Sequence, residues 1–179
     1  MTKLSDTNPN NLALIGESAN RVPVFYDTQE SHAATHFRDD DTLFDLTKAA
    51  LNQVELVPGI VPVVYDFGRY IGVSNAVVTT DDDTIVYARR PNRENYSRFA
   101  LDRKPVPTTW ITMLVDVEAQ GRSAVLGSAW MGPYSPPFPG DPYEQPESAE
   151  YWERHALVWG TQTVDDVTIT HECPWEASE

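Results

Sequence analysis

At 179 residues, with 41% hydrophobic and 11% aromatic side chains, the chain is long enough to bury one core and short for two domains. Its 27 Asp+Glu against 13 Lys+Arg leave a formal charge of -14, which argues against nucleic-acid binding by massed cations and fits a basic protein partner. No apolar run reaches membrane-spanning length, the N-terminus has no basic-then-apolar leader, and Cys173 alone builds neither an intrachain disulfide nor a thiolate metal cluster. The expectation is a cytoplasmic protein with no membrane contact, no cofactor and no metal.

Residues 1–40 are polar and broken by Pro9, Gly16 and Pro23. They read as an irregular arm that adds at most an edge strand, because a proline has no N–H for an interior ladder. His32 and His36 stand four apart, the spacing of one helix face. With no third ligand nearby, two surface imidazoles are the plainer alternative to a metal pair. Asp39-Asp40-Asp41 then opens a helix over about 42–54, with Thr42 and Asp45 as a capping box and Leu43, Leu46, Ala50 and Val54 at helical spacing.

From Val57 the period shortens. Residues 63–65, 73–80 and 84–87 read as strands, with 73–80 and 84–88 paired through the Asp81-Asp82-Asp83 turn. Residues 108–117 and 123–131, apolar and β-branched around Gln120-Gly121, predict a second hairpin. The proline-dense stretch 132–142 reads as a packed loop, its alternative being a proline-rich recognition ligand. A short helix capped by Ser148 follows and ends at His155, then one more possible strand over 167–170. The fold class is therefore α+β: an N-terminal helix packed on a four- to five-stranded antiparallel sheet, with a short helix on the C-terminal side. An arm over 1–40, one domain over 41–172 and an acidic tail over 173–179 complete the division.

Against the acidic background, residues 86–104 hold six cations, Arg89, Arg90, Arg93, Arg98, Arg103 and Lys104, opposed only by Glu94 and Asp102. Such an island either pairs with the chain's own carboxylates or holds an anionic ligand. Arg90, Arg93 and Arg98 offer forked donors for phosphate oxygens, and Tyr96 and Ser97 between them add a ring and a hydroxyl. Arg89 extends the cationic run, and Thr109 starts a strand as a further hydroxyl donor or a plain loop end. His155 sits between Trp152 and Trp159, as a proton shuttle or a histidine satisfied at a helix end. Arginines with one histidine and no metal-ligand cluster suit metal-independent RNA cleavage, in which the 2′-hydroxyl attacks its own phosphate and cations stabilise the phosphorane.

Several short runs carry a family resemblance: Ile85-Val86-Tyr87-Ala88-Arg89-Arg90, Tyr96-Ser97-Arg98-Phe99, residues 105–109, Ser135-Pro136-Pro137-Phe138-Pro139, and Ser148 with Tyr151-Trp152 and His155-Ala156-Leu157. Together, over about residues 57–160, they resemble the barnase/EndoU/colicin/RelE-like nuclease superfamily. The resemblance implies a compact α+β fold and metal-free endoribonuclease activity, with His155 as general acid or base and Arg90 and Arg98 on phosphate. The candidate catalytic set is His155, Arg98, Arg90 and Tyr96, with Arg89, Arg93, Ser97 and Thr109 as ligand-binding residues and RNA or another anion as the ligand. Two alternatives stand beside it: a non-enzymatic acidic module that binds a basic protein, and a small anionic-ligand binder that uses the 89–104 arginines.

Overall fold

The computed structural model describes residues 8–29 and 31–175; the ends of the arm and of the acidic tail lie outside the described residues. The described chain is α+β, and its contacts divide it into two compact units. Met1–Gly72 with Thr108–Tyr134 make the first, and Val73–Pro107 with Ser135–Glu179 make the second. The single antiparallel sheet of four to five strands is corrected to sheets of five, four and two strands among the described residues.

In the first unit the described part of the supposed arm holds two strands and a helix. Leu12–Glu17 (β1) and Pro23–Asp27 (β2) pair antiparallel, and β2 is interior, flanked by β1 and by Ala124–Met131 (β10). Pro23 is tolerated because it is the first residue of its strand, where an absent N–H costs least. The order continues through Trp110–Val117 (β9) to Gly59–Asp66 (β3) at the edge, where Pro62 is also tolerated. The β9–β10 hairpin is as expected from the sequence, with Gly121 at φ 66° in its turn and a register shift between Leu126 and Ser128. The sheet is mixed rather than antiparallel, since β2 and β10 run parallel.

Two helices pack on this sheet. His32–Asp39 (α1) starts at Ser31, whose Oγ accepts the Ala34 N–H, and Asp41–Leu51 (α2) starts at Asp40, whose carboxylate accepts the Leu43 N–H. The cap is Asp40, not a Thr42–Asp45 box, because Thr42 already lies inside the helix. Leu43, Leu46, Ala50 and Leu51 meet Ile111, Met113, Val115 and Val117, the alternating inward residues of β9, in one core. His36 is exposed on α1, and the His32 side chain lies outside the described residues.

The second unit holds a four-stranded sheet in the order Ala76–Val78 (β5), His155–Val158 (β11), Tyr96–Ala100 (β7), Ile85–Arg89 (β6). Gly72–Ser74 (β4) and Val106–Thr108 (β8) form a two-stranded sheet of their own. Pairing of 73–80 with 84–88 is thus overturned: β5 pairs with β11, and β6 pairs with β7. Residues 96–100 of the cationic stretch form strand β7. The cause is local, for Arg90-Pro91-Asn92-Arg93 is a β-turn closed by an Arg93 N–H to Arg90 carbonyl bond of 3.1 Å. Asn92 sits at φ 61°, and proline followed by a left-handed asparagine is the signature of a type II turn.

Ser148–Arg154 (α3) forms as expected, but Ser148 is its first helical residue and Glu147 precedes it. Residues 155–158 are a strand, not the helix end. The expected strand over 167–170 is instead a 3-10 turn at Asp166–Thr168 with one bridge, Thr170 to Tyr87. Val86, Ala88, Phe99, Phe138, Trp152 and Leu157 make the core of this unit.

Candidate functional site

The cationic island is the β6–β7 hairpin. Arg89, at the end of β6, lies 4.9 Å over the ring of its cross-strand partner Tyr96. In the turn, the Arg90 Nη1 donates to Gln162 Oε1 at 3.1 Å, and its guanidinium lies 6.0 Å from the Phe138 ring centroid. Burial holds the Arg90 pKa below its ordinary value and the neighbouring Arg93 adds to that, while Asp141 opposes them. Arg93 itself is exposed and only loosely paired, 3.9 Å from the Asp141 carboxylate.

Four buried polar atoms of this hairpin have no hydrogen-bond partner among the described residues: Arg90 Nε, Asn95 Nδ2, Ser97 Oγ and Arg98 Nε. Ser97 is 1% exposed, on the side of β7 that carries Phe99, and Phe99 clusters with Phe138. The 136–141 loop borders Arg90 and Asn95. Its Phe138 stacks on Trp152 at 3.8 Å, and its Pro136 carbonyl accepts the Trp152 Nε1–H at 2.9 Å. Gly140 has φ 78° and comes so close to Asn95 that a Cβ there would stand 3.4 Å from the Asn95 Cβ. Unmet buried donors cost stability, so their concentration in one hairpin marks it out.

His155 occupies a different position. Its ring stacks face to face on Tyr151, centroids 3.9 Å apart, and its Nδ1 lies 2.8 Å from the Tyr151 carbonyl. A carbonyl only accepts, so Nδ1 carries the proton and the neutral ring keeps its lone pair on Nε2. The Tyr151 hydroxyl bonds Ser135 Oγ at 3.0 Å. Burial pushes the Tyr151 phenol up, with the Ser135 bond opposing.

Arg98 reaches the carbonyl, not the ring, of His155. Its Nη1 donates to that oxygen and to Thr79 Oγ1, both at 2.9 Å, and its Nε is buried without a partner. It forms no ion pair among the described residues. Arg98 faces Tyr87 across the β6–β7 ladder, and both line a cavity of about 390 Å³ with Trp152, Trp175 and Cys173. Glu150 and Glu153 of α3 complete the lining from exposed positions. Burial, reinforced by the Cys173 thiol, pushes the Tyr87 phenol up to about 12 against the pull of Arg98. Tyr87 also meets Trp175 edge to face at 4.9 Å.

The expected site residues thus fall into groups. Arg89, Arg90, Arg93, Tyr96 and Ser97 share the hairpin and its turn, while Arg98 lines the cavity and His155 does not. Thr109 belongs to the first unit, where its hydroxyl bonds the Asp66 carboxylate and holds that group below its ordinary range. Sequence reasoning missed Asn95, Gln162, Tyr87, Cys173 and Trp175. Only the first had a legible signal, since Asn95 lies between the turn that Pro91-Asn92 fixes and the strand that begins at Tyr96. Among the described residues no three His, Cys, Asp or Glu stand together as a metal site, and no helix is long and apolar enough to cross a membrane. No family model, curated protein or solved structure matches the chain.

Proposed function

We propose that the second unit binds an oxyanion, a phosphate or carboxylate group of a small ligand, on the β6–β7 hairpin. The observation that carries this reading is the set of unmatched buried donors at Arg90 Nε, Asn95 Nδ2 and Ser97 Oγ, with the weakly paired Arg93 beside them. A guanidinium presents planar forked donors that match a carboxylate or phosphate edge, and an anion relieves the mutual repulsion of Arg90 and Arg93. Burial strengthens such contacts by lowering the local dielectric.

A second reading, metal-independent RNA cleavage, keeps one specific support: the Tyr151 carbonyl fixes the His155 tautomer with Nε2 as the basic nitrogen. Its difficulty is that His155 does not line the cavity to which Arg98 contributes. Titration with inorganic phosphate, and separately incubation with a single-stranded RNA in chelator, distinguishes the two readings. Binding is expected to weaken with rising salt and to fall at least about tenfold in Arg90→Gln and in the milder Asn95→Ala, since each lost charge-assisted bond contributes roughly 1.5–3 kcal/mol. RNA cleavage abolished by His155→Ala makes the second reading the function. Phosphate affinity unchanged in both hairpin variants sinks the first.

A further inference from the structure

The 390 Å³ cavity does not belong to the hairpin turn, and its lining has a chemistry of its own. We infer that it binds a small zwitterion with an apolar or aromatic body, of the α-amino-acid class, whose carboxylate meets Arg98 and whose ammonium meets the α3 glutamates.

Arg98 is the anionic-group receptor. Its Nη1 is engaged by two neutral acceptors, Thr79 and the His155 carbonyl, which fix the guanidinium without neutralising it. The Tyr87 hydroxyl bonds the guanidinium as a third neutral group, the Nε atom is left without a partner, and no carboxylate pairs with Arg98 among the described residues. A guanidinium held by neutral groups, with one edge unmatched, is arranged to receive a carboxylate from outside the chain.

The opposite polarity comes from α3. Glu150 and Glu153 lie three apart on one helix face, both exposed and both lining the cavity. Glu150 shares its charge with Arg154 in a surface pair at 3.1 Å, while Glu153 forms no ion pair among the described residues. An anion alone meets two carboxylates in the lining, and a cation alone meets Arg98. A ligand that carries both charges satisfies each end. Trp152, 2% exposed, and Trp175 provide rings for the body between the charges, and Tyr87, 8% exposed, provides a third beside a hydroxyl. The volume falls in the range of small-molecule sites.

The test compares three probes that share a phenyl ring: L-phenylalanine, 3-phenylpropionate, which keeps the carboxylate alone, and 2-phenylethylamine, which keeps the ammonium alone. Binding is read by calorimetry and by the change in tryptophan fluorescence. The thiol of Cys173 lines the same cavity and serves as a local reporter, since occupancy slows its reaction with a thiol reagent. The expected result is that L-phenylalanine binds at least about tenfold more tightly than either half-ligand and protects Cys173. Arg98→Gln is expected to abolish the preference over the amine, and Glu153→Gln the preference over the carboxylate. Glu153 is exposed, so its variant keeps the fold and remains informative should Arg98→Gln unfold. Equal affinity for the amine and the amino acid, no change in Glu153→Gln, or no protection of Cys173 at saturating L-phenylalanine overturns the assignment.

Discussion

The two sheets solve the same problem with different materials. The five-stranded sheet of the first unit buries an aliphatic stripe, Ile111, Met113, Val115 and Val117, under two helices that bring Leu43, Leu46, Ala50 and Leu51 to it, with one ring cluster of Tyr26, Phe37 and Phe44 beside them. The buried hydroxyl of Thr112 on that sheet is matched, donating to the Gly132 carbonyl at 2.8 Å. The four-stranded sheet of the second unit has a smaller core built on rings: Phe99 against Trp159, Phe138 against Trp152, and Tyr151 against Trp152. Arg90, Asn95, Ser97 and Arg98, with unmatched buried atoms, all belong to this second unit. The second unit gathers these atoms around its arginines, which is where a binding site is to be sought.

The largest expected effect tests the ring-built core. Trp152 is 2% exposed, stacks on Phe138 and donates to the Pro136 carbonyl, so it anchors the proline loop through both dispersion and a hydrogen bond. Trp152→Ala is expected to lower stability by about 3–5 kcal/mol, measured by chemical denaturation. A loss below about 1 kcal/mol means that the loop is held by something other than this stack.

Next in size is a dependence on alkali. The folded state raises the Tyr87 phenol from 10.0 to about 12, chiefly through burial, so folding favours its neutral form. That contribution is fully present below pH 10 and is lost as pH rises through about 12. The denaturation midpoint is expected to fall over this window, by an amount on the order of 2 kcal/mol from this residue. Tyr87→Phe keeps the ring against Trp175 and removes that part of the decline. An unchanged alkaline profile in the variant shows that other groups set it.

How much of this was legible follows from which physics is local. The helix beginning near Asp40 and the β9–β10 hairpin rest on short-range periodicity, and both were readable. The interior place of β2 was not, because its parallel partner, Val24 beside Ala124, lies a hundred residues away. The β6–β7 hairpin failed for a different reason. The Asp81-Asp82-Asp83 turn drew 84–88 toward 73–80, whereas Pro91-Asn92 in the true turn and the alternation of Ser97 and Phe99 with Tyr96 and Arg98 specify a strand on the other side. The cavity depends on that strand: Tyr87 and Arg98 meet only once β6 and β7 pair, so a misread element hid the site. His155 was selected by its chemistry, yet the sequence carries no trace of the Tyr151 carbonyl that fixes its ring.

The finest comparison removes one buried hydroxyl from each sheet. Thr112 Oγ1 is fully buried and satisfied by the Gly132 carbonyl, so Thr112→Val keeps the shape and leaves a buried acceptor unpaired. The expected cost is about 1–3 kcal/mol. Ser97 Oγ is as deeply buried but unmatched, so Ser97→Ala removes a desolvated group that forms no bond in the free protein. Stability is expected to stay level or rise by up to about 1 kcal/mol, while affinity for phosphate falls. Opposite signs in the two units, with the gain accompanied by lost binding, mean that the second sheet keeps an unfavourable hydroxyl because a ligand completes it. Should both variants lose stability equally, Ser97 is satisfied in solution, and the oxyanion site contracts to Arg90, Arg93 and Asn95.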